Sequence, residues 1–358
     1  MLDVIINVVI LIASLMVVIK AADIFIENIS LIGAALGVSQ ILLGVTASAI
    51  GTSLPEFGSA LLATLNHSSN IGVGIVIGSN IWNVAGIFGI TATVTGIVKA
   101  DRKSLNRDGL VSVVTGVLLL FVMILAAEFT NPSTLSDGEV GIISHNFPIV
   151  VGSLIMVLLY LYYFRILIKD QRKDLSHIKE RAIDERQEII VDSSLMENGT
   201  VGVEEKEKIK LKNVILVTVS IVALGVACDF LIYSATELSR IVGIPETIMA
   251  LFTLSIGTSI PELVVTLSSA MKGLHDLSLG TIFGSVTFNI LIPIGLLSFF
   301  DNIHVETLSL YFDTPIMLLV IALAILLFKF NDMKLNRISG LLLIGFYIVY
   351  AYVRIFFL

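Results

Sequence analysis

Cysteine occurs once in the 358 residues, at Cys228, so an internal disulfide and a thiolate metal cluster are both excluded. Charge is scarce: 14% of residues are Asp, Glu, Lys or Arg, where soluble domains carry about 25%. The five histidines, at 67, 145, 177, 275 and 304, all fall in expected loops, which argues against a buried imidazole proton relay. The polar stretch 169–211 has no EF-hand pattern, and the chain lacks the alternating segments of an outer-membrane barrel. No feature points to nucleic acid or to an obligatory protein partner.

What fills the chain is apolar. Hydrophobic residues make up 56%, and the mean hydropathy is +0.98. A bilayer core needs about 20 apolar residues per helix. Ten candidate spans follow, at roughly 4–27, 40–65, 70–97, 109–128, 148–168, 212–238, 246–271, 277–299, 313–330 and 338–357. The first lacks a basic start and a small-residue cleavage site and ends in Lys20, Asp23 and Glu27, so it reads as a span and not a signal peptide. The expected fold class is an all-α polytopic membrane protein with ten transmembrane helices in the lipid bilayer.

The location of charge orients those spans. Of 22 Lys and Arg, 20 fall on one side of the ten-span arrangement, and only Arg240 and Arg354 on the other. The positive-inside rule makes the rich side cytoplasmic and both termini extracellular. Ten of the basic residues sit in the segment around 169–212, and without them the tally is still 10 to 2. That segment, 169–211, reads as a solvated, charged cytoplasmic loop between a first five-helix unit, 1–168, and a second, 212–358. An odd number of spans per unit inverts the second copy relative to the first.

The chain repeats itself at an offset of 206 residues. Gly51-Thr52-Ser53-Leu54-Pro55-Glu56 returns as Gly257-Thr258-Ser259-Ile260-Pro261-Glu262, and Gly78-Ser79-Asn80-Ile81-Trp82-Asn83 as Gly284-Ser285-Val286-Thr287-Phe288-Asn289. The same offset relates Asp23 to Asp229 and Gly37 to Gly243. Both copies place a glutamate inside an apolar segment, where an ionisable side chain is costly and marks function by default. Proline and glycine predict a break in the second and seventh spans just before each glutamate. A break frees backbone carbonyls, with those of Ala49 and Ser255 as natural candidates, and a cation is a suitable partner for them.

Thr52 and Glu56 are four apart and share a helix face, as do Ser79 with Asn83 and Ser285 with Asn289. The converging donors are hard oxygens throughout. That set suits Ca²⁺ or Na⁺ and argues against zinc, copper or nickel. A lone intramembrane Asn commonly serves a helix–helix hydrogen bond, and small residues commonly serve packing. The doubling of both signatures at one offset favours a site. Trp82 and Phe288 read as packing residues, and Asp23 and Asp229 as interfacial carboxylates near the cytoplasmic ends of their spans.

These two signature pairs resemble the alpha-repeats of the cation/calcium exchanger superfamily, specifically its sodium/calcium exchanger branch. The resemblance covers essentially the whole chain, and the proton/calcium branch usually has a different first signature. It implies secondary active antiport of Na⁺ against Ca²⁺ by alternating access, with no cofactor and no enzymatic step. Carried over by motif position, Glu56 and Glu262 would bind Ca²⁺ and share Na⁺, and Thr52 and Thr258 would supply carbonyls to calcium. Ser53, Ser79, Ser259 and Ser285, with the carbonyls of Ala49 and Ser255, would complete the sodium sites, and Asn83 and Asn289 would line the centre. The first and sixth spans would slide across the other eight. Some members carry an acidic residue at one of the two amide positions, so a potassium-independent exchanger is expected here. An H⁺/Ca²⁺ antiporter using the same glutamates is the alternative. A channel or an intramembrane enzyme fits less well, because neither has use for a doubled Ser/Thr/Asn shell.

Overall fold

The computed structural model describes residues 2–35, 50–66, 68–136, 138–143, 150–169, 211–299 and 302–358. Eleven helices carry these residues: α1 (Leu2–Ala35), α2 (Leu54–Leu65), α3 (Asn70–Thr95), α4 (Arg102–Phe129), α5 (Val150–Lys169), α6 (Leu211–Val242), α7 (Glu246–Thr258), α8 (Ile260–Met271), α9 (His275–Leu297), α10 (Ser309–Phe330) and α11 (Arg337–Phe356). Among the described residues eight helices are long and apolar enough to cross a membrane, and the count is nine if α7 and α8, bent by 45° at their break, cross as one span. The expected second span is represented by α2 and the helical residues just before it. Residues 36–49, and so Ala49, lie outside the described residues, as does 170–210 of the charged loop.

Burial separates centre from rim. In α3 and α9, 94% and 83% of the apolar window is buried, against 22% in α1 and 28% in α6. α1 and α6 pack on one another at the periphery and turn Leu2, Ile5, Val9, Ile12, Ile221, Val222 and Val226 outward. Lipid tails are as apolar as these side chains, so close packing has to hold the centre together. Glycine allows it. A Cβ on Gly78 would lie 2.4 Å from the carbonyl oxygen of Leu251, and one on Gly340 would lie 2.7 Å from the carbonyl of Gly89. The backbone of α3 thereby touches α7 on one side and α11 on the other.

Helix ends follow local chemistry. Asp101 caps α4 by accepting from the N–H groups of Lys103 and Ser104 at 2.9 and 3.0 Å. This cap starts α4 seven residues before the apolar run expected at 109–128, because the basic first turns belong to the helix and not to the span. Among the described residues four stretches are π-helical: Trp82–Ile87, Met249–Leu254, Ile290–Ile294 and Ser309–Asp313.

The sequence pattern signals no strands, yet four short ones form among the described residues. β1 (Ile97–Lys99) pairs antiparallel with β4 (Lys334–Asn336), and β2 (Glu139–Ile143) with β3 (Ile303–Glu306). The 206-residue offset carries β1 onto β3, while β2 and β4 each join the fourth and fifth spans of their own unit. The two ribbons therefore exchange under the repeat. One end bears Lys99, Arg102, Lys103, Lys334 and Arg337 around β1 and β4; the other bears Glu139, Glu246 and Glu306 around β2 and β3.

Candidate ion-binding site

Both signature breaks form where proline predicts them. α7 stops at Thr258 and α8 starts at Ile260, while Thr52 and Ser53 form a turn ahead of α2. Ser53 and Ser259 share one backbone conformation, φ −89° and ψ 5° against φ −85° and ψ 12°. Pro55 and Pro261 then occupy the first turn of α2 and α8, where a missing N–H costs nothing. The serine at each break is thus turned out of its helix, and Glu56 and Glu262 project from the turn that follows.

The two halves hold one another's carboxylates. Ser53 Oγ donates to Glu262 Oε1 at 3.0 Å, and Ser259 Oγ donates to Glu56 Oε1 at 2.7 Å. Ser285 Oγ lies 3.5 Å from the same Glu262 oxygen. Both glutamates are fully buried, and among the described residues no basic side chain pairs with either. The second oxygen of each, Oε2, has no hydrogen-bond partner; nor do Ser79 Oγ or the side-chain oxygens and nitrogens of Asn83 and Asn289. Buried carboxylates without a cation are strongly unfavourable, and buried polar atoms are normally bonded. Hard oxygen donors with two negative charges match a Ca²⁺ or Na⁺ substrate. Among the described residues no three His, Cys, Asp or Glu side chains gather.

Other expected residues divide into groups. Thr52 and Thr258 are buried beside the glutamates. The carbonyl of Ser255 accepts the N–H of Ser259 at 3.2 Å and the Thr258 hydroxyl at 3.5 Å. The Ser255 hydroxyl bridges the π-turn of α7 to α3, donating to Ala250 O at 2.6 Å with Ile75 O at 3.2 Å. Trp82 and Phe288 pack, edge-on against Tyr347 at 5.0 Å and Phe57 at 6.3 Å. Asn83 lies in one π-helical turn, and Asn289 directly precedes another. Such turns are frequent at functional sites.

The pairing of Asp23 with Asp229 at one membrane face is corrected by the structure. Leu11 of α1 packs with Leu231 and Leu238 of α6, whereas Val18 packs with Leu224 and Ala227, so the two helices run antiparallel. The two aspartates lie toward opposite ends, as inversion demands. Asp229 accepts from Asn66 Nδ2 at the end of α2, 2.8 Å away.

A second pair of buried carboxylates escaped the sequence reading. Asp108 of α4 accepts from Tyr163 of α5 at 3.1 Å and from Arg107 at 2.7 Å. Asp313 of α10 accepts from Tyr350 of α11 at 2.9 Å and from Arg354 at 3.1 Å. The aspartates are 205 residues apart and the tyrosines 187, so the loop between the fourth and fifth spans breaks the register that would have revealed them. Arg354, counted with Arg240 on the side opposite the basic-rich one, is buried in this pair.

Paired broken helices that cross-bond buried carboxylates at the core of a polytopic helical bundle define a membrane transporter. The sodium/calcium exchanger protein family profile matches residues 6–169 and 212–356, and the chain belongs to that family. It is 30% identical to the sodium/calcium exchanger MaX1 of Methanosarcina acetivorans, over 97% of this chain and 98% of the relative. It is 28% identical to the inner membrane protein YrbG of Escherichia coli, over 95% and 94%. A solved structure of the sodium-calcium exchanger NCX_Mj, soaked with Na⁺ and Sr²⁺, shares the fold with a TM-score of 0.58, at 22% identity over 97% of each chain.

Proposed function

We propose that this protein is a Na⁺/Ca²⁺ antiporter working by alternating access, with both ions bound at the bilayer midplane. One observation carries the reading: each glutamate is anchored through one oxygen by a serine of the opposite half, while its second oxygen, like the buried side-chain atoms of Asn83 and Asn289, is left without a hydrogen bond. In this reading Glu56 and Glu262 bind Ca²⁺ with carbonyls of Thr52 and Thr258. Ser53, Ser79, Ser259 and Ser285, with the carbonyls of Ser255 and Ala49, coordinate Na⁺, and the two amides line the centre. The family membership and the name of the MaX1 relative support the ion pair. The doubled hydroxyl shell favours Na⁺ over H⁺ as counter-ion, because a proton needs no multidentate coordination.

Each unit, 1–168 and 212–358, acts as one inverted repeat, and 169–211 joins them in the cytoplasm. The basic end around β1 and β4 faces the cytoplasm, and both termini lie outside. α1 and α6 slide over the site segments at glycines. A Cβ on Gly257 would meet Leu15 Cδ2 at 2.8 Å, and one on Gly58 would meet Leu224 Cδ2 at 2.9 Å. Equilibrium Ca²⁺ titration of the purified protein at fixed pH tests the shared site. Na⁺ should raise the apparent Ca²⁺ dissociation constant competitively, and Ca²⁺ affinity indifferent to Na⁺ would sink the reading.

A further inference from the structure

Hydroxyl groups are distributed unequally between two hairpins that otherwise match. The α2–α3 and α8–α9 turns are in register: Ser68 N–H donates to Ala63 O and Leu274 N–H to Ser269 O, both at 2.8 Å and related by the 206-residue offset. In the first hairpin the positions beyond the glutamate are Ala60, Gly72 and Ile75, all apolar. A Cβ on Gly72 would lie 3.2 Å from Ala60 O and 3.3 Å from the Thr64 hydroxyl, which itself donates to Ala60 O at 2.9 Å. This half is closed by direct backbone contact.

The equivalent positions of the second hairpin are Thr266, Ser278 and Thr281. Their exposures are 0%, 0% and 1%. Thr266 stands one turn beyond Glu262 on α8. Ser278 stands two turns before Ser285 on α9, and the shared register sets it against the Thr266 and Ala270 turn. A serine or threonine inside a helix usually satisfies itself on the carbonyl four residues back, as Thr281 does on Leu277 O at 2.9 Å. Thr266 Oγ1 and Ser278 Oγ have no partner at all. Packing alone would be served by the alanine and glycine of the first hairpin.

We propose that Thr266, Ser278 and Thr281 form a neutral cation station between Glu262 and the α8–α9 turn, occupied by Na⁺ in transit to the face that carries β1 and β4. That turn belongs to this face, since Asp276 accepts from the N–H of Asp101 just after β1 at 3.2 Å. The station has hydroxyl oxygens and no carboxylate. A monovalent ion tolerates such a site, whereas a divalent ion shedding water needs charge compensation. At the three equivalent positions the first hairpin has no hydroxyl, so sodium access is unequal at the two faces. The inference rests on the sodium/calcium reading of the carboxylate centre.

The test is Na⁺-dependent Ca²⁺ flux in proteoliposomes of the whole protein, sorted by orientation, with Na⁺ varied on one face at a time. Thr266→Val combined with Ser278→Ala should raise half-saturating Na⁺ at the β1–β4 face about 3- to 10-fold, the scale of one or two net polar contacts. Half-saturating Na⁺ at the other face, and half-saturating Ca²⁺, should stay as in the wild type. An equal shift at both faces, or none, overturns the station. Should the double variant fail to assemble, Thr266→Val and Thr266→Ser carry the same comparison: only the first should shift, and equal behaviour overturns the proposal. Wild-type protein without Na⁺-driven Ca²⁺ flux would remove the underlying reading as well, whereas normal wild-type exchange with unaltered variants removes the station alone.

Discussion

Glu56 and Glu262 each sit one residue after a proline and three after a serine that reaches across the molecule, so neither carboxylate is positioned by its own half alone. Replacing either glutamate by glutamine keeps shape and removes the charge that a cation would neutralise. Glu56→Gln or Glu262→Gln should abolish Ca²⁺ transport while leaving the size-exclusion profile and helical circular dichroism unchanged. Near-normal exchange by either variant would mean that the ions bind elsewhere. The glutamates, serines, threonines and asparagines were legible because each occurs twice at one offset. The crossed bonding was not, since a repeat gives equivalence between positions but no distance between them. The station residues Thr266 and Ser278 are hidden for the opposite reason: the repeat fails there, with Ala60 and Gly72 in their places.

Elements are fixed by a different set of contacts. Asp313, fully buried in the first turns of α10, is held by Arg354 and Tyr350 of α11. Arg354→Met would leave that carboxylate without its cation, at a cost of about 3–5 kcal/mol. The variant should lose thermal stability in detergent, and adding Asp313→Asn should recover part of the loss. Wild-type stability in Arg354→Met would show the pair to be dispensable. The β2–β3 ribbon carries a milder pH-sensitive contact. Burial pushes the Glu139 carboxyl up, but the Ser136 N–H and His304 outweigh it and hold it below its usual value. A depressed carboxyl stabilises fully above its unfolded value, about 4.3, and that contribution is lost as pH falls through the folded value. Glu139→Gln should therefore lower stability by no more than about 1 kcal/mol. The deficit should be present near pH 5 and shrink below about pH 4, as read from melting curves across acid pH; a deficit growing from pH 5 toward acid would reverse the assignment. Span positions were readable from apolar length, and the breaks from Pro55 and Pro261. The ribbons and π-turns were not, because three-residue strands and one-residue helical bulges leave no periodicity.

At the scale of the whole molecule, two peripheral helices lie against a buried centre of α3, α9 and the site segments. The exchange of the two ribbons under the repeat and the gathering of basic residues at one of them fit inverted halves with a cytoplasmic basic face. Tags on both termini should be reached by impermeant reagents on intact cells, and an epitope in 169–211 only after permeabilisation; the reverse pattern would turn the molecule over. Inversion is what an odd span count and the positive-inside tally lead one to expect, while the inequality of the two half-paths needed burial and bonding of individual hydroxyls. The function proposed for this molecule is coupled exchange at the paired glutamates. Its most direct measurement is uptake of isotopic Ca²⁺ into proteoliposomes loaded with Na⁺ and diluted into Na⁺-free buffer at equal pH, beside K⁺-loaded vesicles and vesicles with an imposed pH gradient. Uptake should occur with the Na⁺ gradient only and be lost in Glu56→Gln. Uptake driven by the pH gradient alone would contradict that exchange and make the two glutamates proton carriers.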